Sequence, residues 1–229
     1  MTFTPSTSVL TRVDGSAQLV LGPIKVVSSV TGPIEGKARQ ELPTLASLEI
    51  IVRPATGVAS TREKLLEDKL RSLLQSVIIR HKYPRQLIQI VVQFLTSDSD
   101  FSSDVHSKDL TSSELNAAIN CCYFALIDAN VALHNSFASV SLCLAPGSSD
   151  FIVNPTIDQL LHSKSHHVIS YDIKDQQADR LLLVESQGSF SEQQLYLAID
   201  EASRECEKVH KSYQRPAIVD KITKDFVWK

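Results

Sequence analysis

The sequence predicts a mixed α/β fold in which strands and amphipathic helices alternate along the chain. The first third carries short apolar runs separated by turn residues, and two later stretches each combine a capping box with apolar residues at helical spacing. A third helical stretch follows a second group of strands. This order indicates two halves, each built roughly as ββαβα, on a common sheet.

Length and composition are those of a compact globular protein. The chain has 229 residues, 43% of them hydrophobic, and its 23 Lys and Arg against 26 Asp and Glu give a formal net charge of -3. A core of ordinary size can therefore form, and no run approaches the roughly 18 apolar residues of a membrane span. Residues 1–8 also lack the features of a signal peptide. We expect one domain over 1–229, with 1–8 and 214–229 as terminal extensions.

The first third of the chain is predicted to form strands. The dipeptide Asp14-Gly15 favours a hairpin between the first two strands. The segment 32–43 is rich in Gly and Pro, which predicts a loop with Lys37 and Arg39 at its tip. The strands are predicted at residues 9–13, 18–21, 24–31 and 47–53.

A capping box marks the start of each of the first two helices. Ser60 and Glu63 begin the first helix, which Tyr83-Pro84 should stop, and Thr111 and Glu114 begin the second. Between them, residues 87–95 form an apolar run typical of a buried strand, followed by an acidic, serine-rich loop over 96–108. The later elements are predicted as strands at 137–145, 151–153, 168–173 and 181–185 and a helix over 191–213.

Few residues suggest a metal or cofactor site. His162, His166 and His167 form the only histidine cluster, and we favour a solvated loop or strand end because adjacent strand residues point to opposite faces. The sequence contains no nucleotide-binding or hydrolase motif. We predict no metal and no cofactor. Four cysteines are expected to be reduced core residues of an intracellular protein: Cys121, Cys122, Cys143 and Cys206.

Basic residues crowd into one part of this acidic chain. They could grip a phosphodiester backbone, or they could be exposed helix charges paired with Glu63, Glu67 and Asp68. The residues alone leave both readings open. Arg39 is the better nucleic-acid candidate, because only Glu35 and Glu41 lie near it in the sequence. The set comprises Lys37, Arg39, Arg53, Arg62, Lys64, Arg71, Arg80, Lys82 and Arg85.

Four segments together resemble the RNase PH family. They are SVTGPIEGKARQELP, STREKLLEDKLRSLL, YPRQLIQIVVQFL and ELNAAINCCYFALIDANVAL. The resemblance is greatest to a small RNase PH-like ring subunit of the eukaryotic RNA exosome. It implies an RNase PH-type (ribosomal protein S5 domain 2-like) fold, a duplicated βαβ-type mixed sheet with packed helices.

The same resemblance implies a place in a larger assembly. Six RNase PH-like subunits would form a ring around a channel for single-stranded RNA, with S1/KH-type cap subunits and a hydrolytic exoribonuclease as further partners. It implies RNA processing and decay in the nucleus, nucleolus and cytoplasm, and no membrane partner. The apolar tail 216–228 could contribute to a subunit interface or fold back on its own domain.

Active members of the family cut RNA by phosphorolysis, and their site residues are replaced here. The resemblance aligns a phosphate-binding Gly-Gly-Thr-Arg with Ser112 to Leu115, so that Glu114 and Leu115 stand for Thr and Arg. It aligns two catalytic aspartates with Asn154 and Leu160. We therefore expect no enzymatic activity and interpret Glu114 as a capping-box residue.

The resemblance also suggests residues that contact RNA. Arg71 matches an arginine near the substrate, and Arg39 matches a loop arginine that faces the channel. Lys37 and Arg62 complete the predicted RNA-binding set.

Three alternatives to that reading stay open. The chain could be a phosphorolytic enzyme using Asp158 and Arg71, or a metal-dependent nuclease using His166 and acidic neighbours. It could also be a free-standing protein-interaction module without an RNA role.

Overall fold

The computed structural model describes residues 3–37, 39, 41–96, 111–145 and 150–224. It contains two sheets rather than the common sheet expected from the sequence. The first sheet has five strands in the order β1-β2-β3-β5-β4, and all neighbours are antiparallel except the parallel pair β4 and β5. Its strands are β1 (Phe3–Thr7), β2 (Gly15–Leu21), β3 (Ile24–Glu35), β4 (Ser47–Arg53) and β5 (Gln86–Thr96).

The second sheet has four antiparallel strands in the order β7-β6-β8-β9. Its strands are β6 (Ser136–Leu144), β7 (Phe151–Val153), β8 (Ser165–Lys174) and β9 (Gln177–Gly188). The helices are α1 (Thr61–Val77), α2 (Thr111–Asp128), α3 (Ile157–Leu161), α4 (Glu192–Val209) and α5 (Arg215–Lys224). A short 3-10 turn, Arg80–Lys82, precedes β5, and a π-turn, His210–Gln214, joins α4 to α5.

Helix α2 lies between the two sheets and explains why there are two. Every residue from 112 to 126 is buried, because the helix packs on β2 and β3 with one face and on β6 and β8 with the other. Leu19 and Ile88 of the first sheet and Phe137 and Val168 of the second belong to the same core cluster. A helix that is apolar on all sides needs a covering layer on each side.

The hairpin predicted around Asp14-Gly15 is wrong. Residues 9–13 form no strand, and the strand that pairs with β2 is β1, inside the expected N-terminal extension. Asp14 accepts a hydrogen bond from the Gly32 amide at 2.8 Å, and Gly15 is already the first residue of β2. The tight turn lies instead between β2 and β3, where Gly22 has a φ of 58°.

The loop expected over 32–43 begins later than predicted, because β3 continues to Glu35. Helix α1 has the predicted cap, with Ser60 accepting from Arg62 and the Glu63 carboxylate accepting from the Ser60 amide at 2.6 Å. It ends at Val77, before the Tyr83-Pro84 stop. Most of the predicted acidic loop, residues 97–108, lies outside the described residues.

The C-terminal helix α5 packs against the rest of the chain. Ala217 and Ile218 contact the core cluster, and the Lys221 ammonium donates to the Asp128 carbonyl at 2.8 Å and to its carboxylate at 3.2 Å. Val219 and Ile222 remain about half exposed. The described part of the tail therefore folds back, while Phe226, Val227 and Trp228 lie outside the described residues.

The four cysteines are buried and free, as predicted. Among the described residues, none of the helices combines the length and apolar character that crossing a bilayer requires.

Candidate functional site

Helices α1 and α2 begin at the same end of the first sheet. Each follows one of two parallel neighbours, β4 and β5, and the carboxyl ends of parallel strands share an edge. Here the Arg62 guanidinium donates to the Glu114 carboxylate at 2.5 Å. The Arg62 side chain is 19% exposed and that of Glu114 only 3%, so this ion pair is largely withdrawn from water.

Glu114 gives the start of α2 its own negative charge. A carboxylate in the first turn of a helix is stabilised by the partial positive charge of the helix end, and Arg62 adds a full positive charge. The predicted capping box of Thr111 and Glu114 involves the Thr111 side chain, which lies outside the described residues. Leu115 is 1% exposed and packs in the core, so it presents nothing to a ligand.

A chain of amide side chains brings Asn154 to this helix start. The Asn116 amide donates to the Asn154 side-chain oxygen at 3.0 Å, and the Asn120 amide donates to the Asn116 side-chain oxygen at 2.9 Å. Asn120 also donates to the carbonyl of Ser139 on β6 at 2.9 Å. These amides hold β7 and β6 against α2, but an amide has no acidic proton to give to a leaving group.

Asn154 lies on the short connection between β7 and α3, whereas Leu160 lies within α3. Asn154 has a φ of 48°, and its backbone amide donates to the carbonyl of Ser141 at 2.7 Å. Leu160 is 2% exposed and packs inward from α3. Asp158 lies in the first turn of α3 and is exposed. The position predicted for the second catalytic acid is therefore a packing position.

Three of the four predicted RNA-binding residues divide between two ends of the first sheet. Lys37 and Arg39 follow the end of β3, where Glu35 pairs with Gln86, whereas Arg62 lies beyond the opposite end of β4. Seven residues of β4 separate these ends, a length of about 20 Å. The structure thus joins Arg62 to Glu114 at the start of α2, the helix to which Asn116 links Asn154, and it places Lys37 and Arg39 elsewhere.

Several basic residues pair with acidic side chains, as expected if they are exposed surface charges and not RNA contacts. Arg71 pairs with Asp68 at 3.1 Å and Lys64 with Glu67 at 2.5 Å, each within α1, and Arg85 pairs with Glu41. Lys37 and Arg39 are exposed and, within the described part of the chain, form no ion pair.

The histidines were expected in a solvated loop or at a strand end, and His166 and His167 do lie at the start of β8, but they are buried there. His166 and His167 are 5% and 0% exposed within β8, whereas His162 is exposed at the end of α3. The two nitrogens of the His167 ring lie 3.1 Å from the Ser165 hydroxyl and 2.8 Å from the Ser186 hydroxyl. Both ring nitrogens therefore have a serine hydroxyl as hydrogen-bond partner, one on β8 and one on β9. This pairing allows the ring to be buried. Among the described residues, no three His, Cys, Asp or Glu side chains are grouped to hold a metal ion.

His167 should make stability depend on pH. Burial, helped by the neighbouring His166, lowers the pKa of His167 from 6.5 to about 4. The folded state then resists protonation of His167 more than the unfolded state does. The contribution of this residue to the free energy of unfolding is therefore fully present above about pH 6.5, and it falls by about 3 kcal/mol as the pH drops toward 4. Urea unfolding of the wild type and of His167→Gln at several pH values measures the difference. His162→Gln, an exposed control, should keep the wild-type pH dependence. Identical profiles for the wild type and His167→Gln would contradict the prediction.

A family model described as the 3′ exoribonuclease family, domain 1, matches residues 2–132. The matched segment ends just after α2. The chain belongs to the RNase PH family. Its RNase PH relatives include the exosome complex component RRP46 of Saccharomyces cerevisiae, 44% identical over 209 residues that cover 90% of this chain and 91% of the relative. The exosome complex component rrp46 of Schizosaccharomyces pombe is 30% identical over 207 residues, 89% and 84% of the two chains.

A solved structure shows the same RNase PH fold. The crystal structure of rice (Oryza sativa) Rrp46 superposes with a TM-score of 0.79 and covers 92% of this chain and 93% of that one, at 23% identity. The family resemblance and the RNase PH-type fold predicted from the sequence are thereby confirmed. Asn116 and Asn120 were missed, although two asparagines four residues apart in an apolar helix are a visible signal of a buried polar contact.

Proposed function

We propose that this chain is a non-catalytic subunit of the six-membered RNase PH-like ring of an RNA exosome. It helps to form the channel that guides single-stranded RNA to an associated 3′–5′ exoribonuclease. Support comes from the two fungal relatives, both named as exosome complex components, which this chain matches over 91% and 84% of their lengths. Other RNase PH-like subunits, S1/KH-type cap subunits and the nuclease are the partners, in the nucleus, nucleolus and cytoplasm.

The Arg62–Glu114 ion pair is the observation that carries the non-catalytic part of the proposal. It occupies the helix start to which the family resemblance assigns the attacking phosphate. A carboxylate there repels a phosphate and also neutralises the nearest arginine. The neighbouring Asn154 can hydrogen-bond but cannot protonate a departing ribose oxygen.

No geometry in the described residues favours the enzymatic alternatives. Arg71 lies nine positions beyond Arg62 on α1, about 13 Å along the helix, and pairs with Asp68. Asp158 is exposed on α3. His166, the metal-nuclease candidate, is buried with a ring nitrogen 3.2 Å from the Gln187 side-chain oxygen.

Lys37 and Arg39 are the main RNA contacts in this proposal. Both are exposed beside a loop at one end of the first sheet, and basic side chains supply affinity for a phosphodiester backbone without reading its sequence. Arg71, whose side chain is 38% exposed, is a second contact. Of the four predicted RNA-binding residues, Arg62 should contribute least to RNA binding, because the Glu114 carboxylate already neutralises its charge.

The proposal predicts two measurable results. The assembled ring without its hydrolytic nuclease should release no nucleoside diphosphates from single-stranded RNA in the presence of phosphate. In the complete complex, Arg39→Glu should reduce RNA crosslinking to this subunit by about fivefold, because charge reversal removes an attraction and adds a repulsion.

Lys174→Glu provides the control, since Lys174 is exposed at the end of β8 in the second sheet. Crosslinking should be unchanged in that variant. Phosphate-dependent release of diphosphates would overturn the non-catalytic assignment. Equal crosslinking of Arg39→Glu and the wild type would remove Arg39 from the RNA path.

A further inference from the structure

Helix α4 exposes two large apolar side chains on its outer face. Its inner face packs on the second sheet through Ala198, Ala202 and Cys206, as an amphipathic helix should. Tyr196 and Leu197, however, are 58% and 55% exposed on the opposite side. Adjacent exposed apolar residues of this size are typical of a contact surface.

Leu197 borders a groove between α4 and the edge strand β7. The groove has a volume of about 410 Å³, comparable to a small ligand pocket. Phe151 and Leu197 give it an apolar wall on each side. Its lining residues are Asp150, Phe151, Leu197, Asp200, Glu201 and Arg204.

Strand β7 offers backbone groups to whatever fills the groove. Ile152 lies opposite Cys143, and the Asn154 amide donates to Ser141, so alternate residues of this segment bond to β6. Phe151 and Val153 consequently direct their backbone N–H and C=O groups away from β6. No other strand in the described ranges pairs with this edge. An open edge is a template for an added strand.

The charge of the groove selects the kind of partner. Among the described residues that line it, Asp150, Asp200 and Glu201 carry carboxylates and Arg204 carries a guanidinium, which pairs with Glu201 at 3.4 Å. This excess of negative charge repels a nucleic-acid backbone and attracts Lys or Arg.

We propose that the groove between β7 and α4 binds an extended segment of a partner protein in which apolar residues alternate with Lys or Arg. The segment adds a strand to the free edge of β7, its apolar side chains contact Phe151 and Leu197, and its basic side chains face Asp200 and Glu201. This site is independent of the RNA path proposed above, since it lies on the second sheet.

A synthetic peptide tests the proposal directly. The probe is fluorescent Lys-Val-Lys-Leu-Lys-Val-Lys, blocked at both ends, and its binding to the full chain is followed by fluorescence anisotropy. Asp200→Lys and Leu197→Ser should each weaken binding by about tenfold, and binding should weaken at about 0.5 M salt. Asp179→Lys is the matched control, because Asp179 is exposed on β9 and makes the same charge change outside the groove. It should bind like the wild type.

Hydrogen exchange distinguishes strand addition from simple charge attraction. The bound peptide should slow exchange of the Phe151 and Val153 amides, and a peptide with Glu in place of Lys should not bind. Equal loss of binding in Asp179→Lys and Asp200→Lys would overturn the proposal, as would unchanged exchange at both amides. Displacement of the peptide by single-stranded RNA would overturn it in favour of a nucleic-acid site. Self-association of the chain that Leu197→Ser abolishes would assign the groove to a second copy instead.

Discussion

Arg62→Met is expected to lower the free energy of unfolding by about 3 kcal/mol, because it leaves the Glu114 carboxylate buried without its arginine. The Glu114 side chain is only 3% exposed, so water cannot replace the lost charge interaction. The methionine keeps much of the apolar volume of the arginine stem, so the loss reports mainly on charge. Urea or guanidinium unfolding at neutral pH measures this change.

Two further variants make that measurement decisive. Arg71→Met removes an arginine from the same helix whose partner Asp68 is 71% exposed, and it should cost less than about 1 kcal/mol. The double variant Arg62→Met with Glu114→Leu should recover most of the stability, because both charges of this pair are then absent. A double variant as unstable as Arg62→Met would show that the pair does not act through charge.

Gly15→Ala is expected to lower the free energy of unfolding by about 3 kcal/mol or to prevent folding, because overpacking against backbone cannot be relieved by a side-chain rotation. A Cβ atom at Gly15 would lie 2.2 Å from the Ala129 nitrogen and 2.6 Å from the Ala125 carbonyl oxygen. Both are backbone atoms at the end of α2, so the helix would have to move away from β2. Thermal or urea unfolding of the purified variant gives the result.

Gly36→Ala is the matched control for that substitution. A Cβ atom there would come no closer than 3.6 Å to a neighbour, an ordinary contact distance. Its stability should lie within about 0.5 kcal/mol of the wild type. If Gly15→Ala were equally harmless, the close approach of β2 to α2 would not hold in solution.

Local signals in the sequence were reliable where the structure depends on neighbouring residues. The Ser60–Glu63 cap was predicted because its two side chains act within a single turn. Strands β4 and β7 have the predicted bounds, since turn residues flank both apolar runs. Strand β1 was missed because Pro5 weakens the strand signal, although proline suits an edge strand with one unpaired side.

The candidate site could be anticipated only in part. The replaced residues at Glu114 and Asn154 were visible through the family resemblance. The ion pair itself was not, because Arg62 and Glu114 are 52 positions apart and a capping box explained Glu114 locally. The burial of His167 was missed for the same reason, since its partner Ser186 lies on the next strand.

Because α2 packs against both sheets, the two repeats of this duplicated fold share one helix in their cores. The family match stops at residue 132, yet the half of α2 that faces β6 and β8 would be bare if the chain were divided there. The sequence boundary between the two modules is therefore no boundary for folding. A change that displaces the start of α2, where Arg62 pairs with Glu114, therefore alters the packing of both sheets.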